Sequence, residues 1–288
     1  MASRNPESAS PFPPGYDRQA RLAHADEVYR AIRSRRTFKG GLSSEPIPDE
    51  YVERILEAAR WAPSGANTQP WEVIVVKERE LIQQIGLFFT DGFTKMKTAQ
   101  PDFPVDNKKY MCHVPLMLVV IGDKRFINCY PQVGGWDGCV EIFYSSLAAF
   151  VQNIHLMACA LGLGSTWGTC FSFHEINLKK LLGIPDIYRT FAVIPIGWPR
   201  AKRKDSWRKP VASFVHAERY DPARLKSTAE FREWIGPVRY SRLRSDGRVH
   251  ADPAPAIEYG SLVAWDVNLD SRYGDSFPAP SRANGGAA

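Results

Sequence analysis

Three polar segments hold the side chains best suited to chemistry. The first is RSRRTFKG (33–40), which sets Arg35, Arg36 and Lys39 around the hydroxyl of Thr37. Paired guanidiniums can grip a phosphate through bidentate hydrogen bonds, and a hydroxyl completes such a cage. The second is WAPSGANTQPW (61–71), where Ser64, Asn67, Thr68 and Gln69 lie between two tryptophans. Neutral donors and acceptors in that setting suit a planar heterocycle with amide edges, such as the pyrimidine ring of a flavin. A capped turn would explain the Pro and Gly of this loop, but not four polar side chains between aromatics. The third is SWRKP (206–210), at the end of a loop with six basic residues between Arg200 and Lys209 against one acid, Asp205. Arg208 and Lys209 could close on the same phosphate. Taken singly, the first and third segments also read as solvated basic turns.

Other chemistries lack their motifs. The chain has no HExxH, GxSxG, P-loop or DxDxDG pattern. His155 and Cys159 share a helical face at i,i+4 and read as core residues rather than a metal pair. GLGSTWG (162–168) tempts toward a dinucleotide fingerprint, but that loop follows a strand and opens a helix. Here the glycines end a long helix and precede a strand, so Gly162 reads as a helix C′ residue. Lys and Arg number 37 against 31 Asp and Glu, a formal charge of +6 over 288 residues. That excess is far below the charge density of a dedicated nucleic-acid binder. Five cysteines without a CxxC pair argue against structural zinc and for a reducing, cytoplasmic location. No apolar h-region opens the chain, and no unbroken apolar run reaches the ~18 residues of a membrane span, so neither a signal peptide nor a membrane association is expected.

The elements that must position these segments alternate in type. A helix begins near Asp26, with Val28 and Ile32 on one face. Residues 48–63 predict a helix opened by Pro48 and Asp49 and closed by Pro63, with Val52, Ile55, Leu56, Ala59 and Trp61 as its apolar stripe. WEVIVV (71–76) reads as a buried strand, followed by a helix from about Arg79 to Phe88. Residues 90–109 fit a loop or short mobile helix. PLMLVVIG (115–122) is a second strand, and 123–138 a long loop. Residues 140–161 predict the strongest helix, apolar nearly all round with Glu141 as its one full charge, a pattern expected at a fold centre or a subunit interface. STWGT (165–169) is a short strand or turn. Ser172–Glu175 predicts a capping box for a helix that Gly183 stops. RTFAVIPIGW (189–198) is a third strand, and Asp221-Pro222 starts a last helix toward Trp234. SLVAW (261–265) is an isolated apolar patch in a polar tail. The alternation gives a mixed α/β domain over 23–220. An extended or disordered arm (1–22) and a partly disordered C-terminal extension (221–288) flank it.

Taken in order, these pieces resemble the nitroreductase superfamily of FMN-dependent oxidoreductases. The matching stretches are AIRSRRTFK (31–39), AARWAPSGANTQPW (58–71), QNIHLMACALGLGSTWG (152–168), LLGIP (181–185), IGWP (196–199) and RKP (208–210) before VHAERY. Each is weak alone; the ordered set is specific. The resemblance implies an α+β three-layer sandwich, a mixed, mainly antiparallel sheet wrapped by helices, in an intertwined homodimer with two FMN sites at the interface. The helix 140–161 would then pack at the dimer core. It also implies roles. Arg35, Arg36, Thr37 and Lys39 would be FMN contacts, the arginines on phosphate and Lys39 near the N1/O2 edge. Pro63, Ser64 and Asn67 match the loop usually given by the other subunit. Trp167, Gly168 and Thr169 match the segment whose amides approach N5 and O4. Arg208 matches a late arginine on the phosphate. Thr37 replaces the commoner Ser and keeps the hydroxyl; Lys39 replaces the commoner Arg and loses its planar fork.

The function so implied is NAD(P)H oxidation, with NADH or NADPH as co-substrate, coupled to reduction of a nitroaromatic, quinone or related conjugated acceptor. The chemistry would sit at flavin N5, so no protein side chain is named as catalytic. Phe88, Phe89, Phe93, Phe103 and Tyr110 are candidate lid residues, or else plain core. A second reading is reductive dehalogenation or a tailoring oxidation, since PSGANTQPW (63–71) is also similar to the iodotyrosine deiodinase branch. That branch's Glu/Tyr/Lys lid does not align here. A third reading, a basic binding module built on 200–209, lacks aromatics interleaved with its charges, and no nucleic-acid partner is expected.

Overall fold

The computed structural model describes residue 15 and residues 17–99, 108–130, 138–202 and 206–239. The chain divides into two compact units, the described residues up to 202 forming the first and 206–239 the second.

The first unit is built on β2 (Leu116–Asp123) and β5 (Tyr188–Gly197), which pair antiparallel at the centre of the sheet. β1 (Trp71–Val76) pairs with the outer edge of β2, while β3 (Gly164–Ser165) and β4 (Gly168–Thr169) pair with β5. Every residue of β2 is buried, because both faces of the sheet are covered. Leu116, Leu118 and Val120 pack with Val52, Ile55 and Ala59 of α2 (Asp49–Ala59) and Phe150, Val151 and Ile154 of α4 (Gly138–Ala160). Met117, Val119 and Ile121 face the other way, onto Ile82, Ile85 and Phe89 of α3 (Arg79–Ala99) and Leu178 of α5 (Ser172–Leu182). Alternation along one strand therefore separates two cores, giving helices, sheet and helices in three layers. The strand pairs are antiparallel, and a parallel bridge between Thr37 and Ser165 supplies the mixed element. This is the α+β three-layer sandwich expected.

Several local expectations change. α1 (Arg18–Ser34) starts before Asp26, capped by Asp17, whose carboxylate accepts from the Ala20 N–H at 3.0 Å. It buries none of its residues; Val28 and Ile32 are about half exposed. Trp61 lies beyond α2 and is 73% exposed, its indole donating to Glu57, so it leaves the apolar stripe. β1 is an edge strand with only Val76 buried. α3 runs through to Ala99, so 90–99 is helix rather than loop, and Phe89 is core, stacked on His174 at 4.2 Å. Phe88 packs against the same core and Phe93 lies under the Lys108 ammonium; Phe103 falls outside the described residues. Ser172 does not cap α5. Phe171 is the N-cap, its N–H bonded to His174 Nδ1 at 3.2 Å, while Glu175 turns to β5. There Glu175 accepts from the Thr190 N–H at 3.1 Å and pairs with the Arg189 guanidinium. Gly183 ends α5 at φ +66°, as expected of a C′ glycine.

α4 is long and apolar enough to cross a membrane by length and composition, yet ten of its residues are buried within the domain. In the second unit, Asp221 caps only the short turn Pro222–Arg224. The helix α6 (Thr228–Arg239) starts later, behind a capping box in which Ser227 and Glu230 bond each other's backbone N–H. SLVAW (261–265) lies outside the described residues.

Candidate active site

The basic segment is tied to the Trp167–Thr169 segment by backbone bonds. α1 stops at Ser34, and the chain runs on extended beside Ser165. The Phe38 N–H donates to the Ser165 carbonyl at 3.1 Å, and the Thr166 hydroxyl donates to the Phe38 carbonyl. Phe38 is buried as the anchor. Gly164 permits the approach: a Cβ there would lie 2.8 Å from the Phe38 ring and 2.6 Å from Leu42. Arg35 and Arg36 emerge half-buried, Thr37 and Lys39 exposed. Arg36 donates to the carbonyls of Arg33 and Arg35, the latter at 2.9 Å, so it also caps the end of α1.

His155 supports this junction from below. Its Nδ1 lies 2.7 Å from the Ser165 hydroxyl, and its ring stacks near Trp167 at 5.9 Å. Burial, reinforced by the Arg35 charge, holds its pKa at about 4, so it is neutral at pH 7. Nε2 of His155 has no hydrogen-bond partner among the described residues. The Thr166 and Cys170 N–H groups point at β5, at 3.3 and 3.5 Å from the carbonyls of Pro195 and Phe191. Strand alternation turns the N–H groups of Trp167 and Thr169 the other way, off the sheet. Gly168 is buried between them, where a Cβ would sit 2.7 Å from the Val193 carbonyl. The β2–β5 register slips between Val120 and Ile121, and Phe191 beside the slip meets Trp167 edge-on at 5.6 Å. Such irregularities commonly aim side chains at a site. Cys170 is no nucleophile, since burial pushes its thiol up to about 12.

The polar loop is built mostly for itself. The Ser64 hydroxyl accepts from the Gln69 N–H at 3.1 Å, and the Gln69 amide donates to the Asn67 carbonyl at 3.2 Å. The Thr68 hydroxyl bonds the Gly65 carbonyl at 2.9 Å and the Tyr130 hydroxyl at 2.8 Å. Of the four side chains expected to face a heterocycle, Asn67 and Gln69 are exposed and Ser64 and Thr68 half-buried; Pro63 is exposed too. The loop is seated on the N-terminal half of α4, where the Gly65 N–H donates to Ser146 at 3.3 Å. His155, beneath the other segment, lies nine residues further along the same helix, about 13 Å at the α-helical rise.

The structure thus joins Arg35, Arg36, Thr37 and Lys39 to Trp167, Gly168 and Thr169, and holds Pro63, Ser64 and Asn67 elsewhere on α4. Arg208 belongs to the second unit, where it donates to the Trp207 carbonyl at 2.8 Å. Lys209 lies over the Trp234 ring at 4.9 Å. Sequence reasoning misses Tyr130, Ser146 and Ser165. A histidine within an apolar helix is the one visible signal, since a buried imidazole needs a partner. No group of three metal-ligating side chains forms among the described residues. A separate cleft of about 420 Å³, lined in part by Ser44, Lys77 and Arg79, shares no residue with the site.

Residues 32–198 match the nitroreductase family. The chain belongs to that family. Among similar proteins, a candidate NADH dehydrogenase/NAD(P)H nitroreductase of Archaeoglobus fulgidus is 30% identical over 180 residues, covering 62% of this chain and 88% of that protein. The iodotyrosine deiodinase of Nematostella vectensis is 42% identical over 216 residues, covering 66% of this chain and 74% of that protein. The NADPH:FMN oxidoreductase of Vibrio harveyi, solved with NAD+, shares the nitroreductase fold with a TM-score of 0.57 at 19% identity, over 74% of this chain and 86% of that one. Family membership makes the chain an oxidoreductase of the flavoprotein type, and the residues that match lie in the three-layer unit.

Proposed function

We propose that this protein is a homodimeric, FMN-dependent oxidoreductase that takes hydride from NADH or NADPH and reduces a nitroaromatic, quinone or related conjugated acceptor. The observation that carries this reading is the bonding of the Arg35–Lys39 segment along Ser165–Thr166, beside the off-sheet amides of Trp167 and Thr169. The donor set fits FMN in kind: guanidinium, ammonium and hydroxyl for the phosphate and the N1/O2 edge, backbone N–H for the N5/O4 edge. FMN, when bound, supplies the atom that accepts and returns hydride.

The chain's own residues would do the rest. Arg35, half-buried, would pair with phosphate more strongly than a fully solvated arginine. Lys39 would offset negative charge that builds on the ring during reduction. Trp167 and Gly168 would hold the donor edge rigid through β4 and the Phe191 contact. Pro63, Ser64 and Asn67 would come from the second subunit, and Arg208 would close on the phosphate. The cysteine pattern supports a reducing, cytoplasmic setting. Reductive dehalogenation of a halophenol is the second reading, favoured by the 42% identity to a protein named iodotyrosine deiodinase. A visible spectrum tests the cofactor: purified protein should show flavin bands that NADH or NADPH bleaches. Recovery of colour with nitro, quinone and halophenol acceptors then separates the two reactions. A colourless protein that takes up no added FMN would refute both.

A further inference from the structure

The loop at 63–69 holds three non-glycine residues in the left-handed region within four positions: Ala66 (φ +49°), Asn67 (φ +54°) and Gln69 (φ +48°). Such conformations persist only where the surroundings over-determine them. Here Ser146 holds the loop by the Gly65 N–H at 3.3 Å, and Tyr130, also from outside the loop, holds it on the carbonyl side. The Tyr130 hydroxyl gives its one proton to the Thr68 hydroxyl at 2.8 Å and stands 3.1 Å from the Gly65 carbonyl. The Gly65 carbonyl accepts from the Thr68 N–H at 3.0 Å and its hydroxyl at 2.9 Å. Tyr130 is buried, at the end of the 3-10 segment Lys124–Cys129. Gly65 fits this clamp because it has no Cβ, which would meet Ile142 at 2.1 Å and the Tyr130 oxygen at 3.0 Å.

We propose that Tyr130 is a positioning residue for the cofactor-binding loop, its hydroxyl locking Gly65 and Thr68 so that Asn67 is presented at a fixed angle. The assignment rests on the FMN reading above. It makes loop order, rather than a direct contact, the route by which Tyr130 governs flavin affinity.

Tyr130→Phe removes only the hydroxyl, and Thr68→Val removes its partner at equal volume. FMN fluorescence quenching on the apoprotein should give a Kd raised about tenfold for each, with the double variant no weaker than either single by more than about twofold, since both cut one network. Hydrogen exchange in the flavin-free protein should quicken at the 65–69 amides in both variants, while the β2 amides stay protected. A lowered urea midpoint with unchanged Kd and unchanged loop exchange would mark a merely structural tyrosine and overturn the assignment. Wild-type protein that binds no FMN would overturn this and the function together. Normal wild-type binding with an unaltered Tyr130→Phe would overturn the positioning role alone.

Discussion

Acid should unfold this protein partly through His155. The imidazole is 3% exposed, and burial with the nearby Arg35 charge lowers its pKa from 6.5 to about 4. Between those values the unfolded chain binds a proton that the folded chain refuses. Stability therefore falls as pH drops from about 6.5 and levels off below about 4. A tenfold change in proton affinity is worth about 1.4 kcal/mol, so the full loss is about 3 kcal/mol, and about 2 kcal/mol of it falls between pH 7 and pH 5. His155→Gln keeps a polar group near Ser165 and cannot titrate. Urea unfolding of both proteins at fixed protein concentration, at pH 7 and pH 5, isolates this one group, because every other titration cancels in the difference. Wild type should lose about 2 kcal/mol more than the variant. Parallel losses would show that the imidazole is solvated or paired in the folded state, and the buried Ser165 contact would have to be abandoned.

Other perturbations follow the same geometry. Gly168→Ala forces a Cβ against the Val193 carbonyl, so it should cost about 1–3 kcal/mol in a urea melt and loosen β4. Glu175→Gln leaves Arg189 facing a neutral group and should lower stability by about 2 kcal/mol, with Glu175→Asp recovering little because the shorter arm misses the Thr190 N–H. On the dimeric reading, Arg35→Ala and Asn67→Ala chains should each bind FMN poorly, yet refolding them together should restore about a quarter of the sites, since a mixed dimer keeps one site intact. No recovery in that mixture, measured by bound flavin, would place both residues in the same chain's site or in none.

The layers are legible in the sequence because they rest on periodicity. Leu116–Ile121 reads as a strand, and the run of α4 is too apolar for a solvent face. What stays hidden is local and depends on distant partners. Ser172 and Glu175 have capping-box spacing, but Glu175 is claimed by Arg189 and Thr190 across the sheet. Trp61 fits the period of α2, but the helix ends at Ala59 and its ring swings onto Glu57 and Arg60. Ser64, Thr68 and Gln69 suggest outward-facing groups because composition does not show a loop bonding to itself. Family resemblance groups the basic segment with Trp167–Thr169, whereas their contact depends on Phe38 filling the space that Gly164 leaves open.

The separation along α4 bears on why a second copy belongs in the functional reading. The loop at 63–69 is fixed to Ser146 and the 165 segment to His155, so about nine helical residues stand between two parts of one proposed site. Between these anchors α4 turns Phe150, Val151 and Ile154 into the core, while Gln152 stays exposed and Ala148 and Ala149 half-buried. Ala149 also packs against the core, and Ala148 and Gln152 carry no charge that would repel another helix along this stretch. A two-fold axis passing beside α4, level with the midpoint between Ser146 and His155, would carry the loop of one copy toward the basic segment of the other, twice over. Within a single chain the two segments stay about 13 Å apart along α4, a spacing held by the packing of Phe150, Val151 and Ile154 on the sheet.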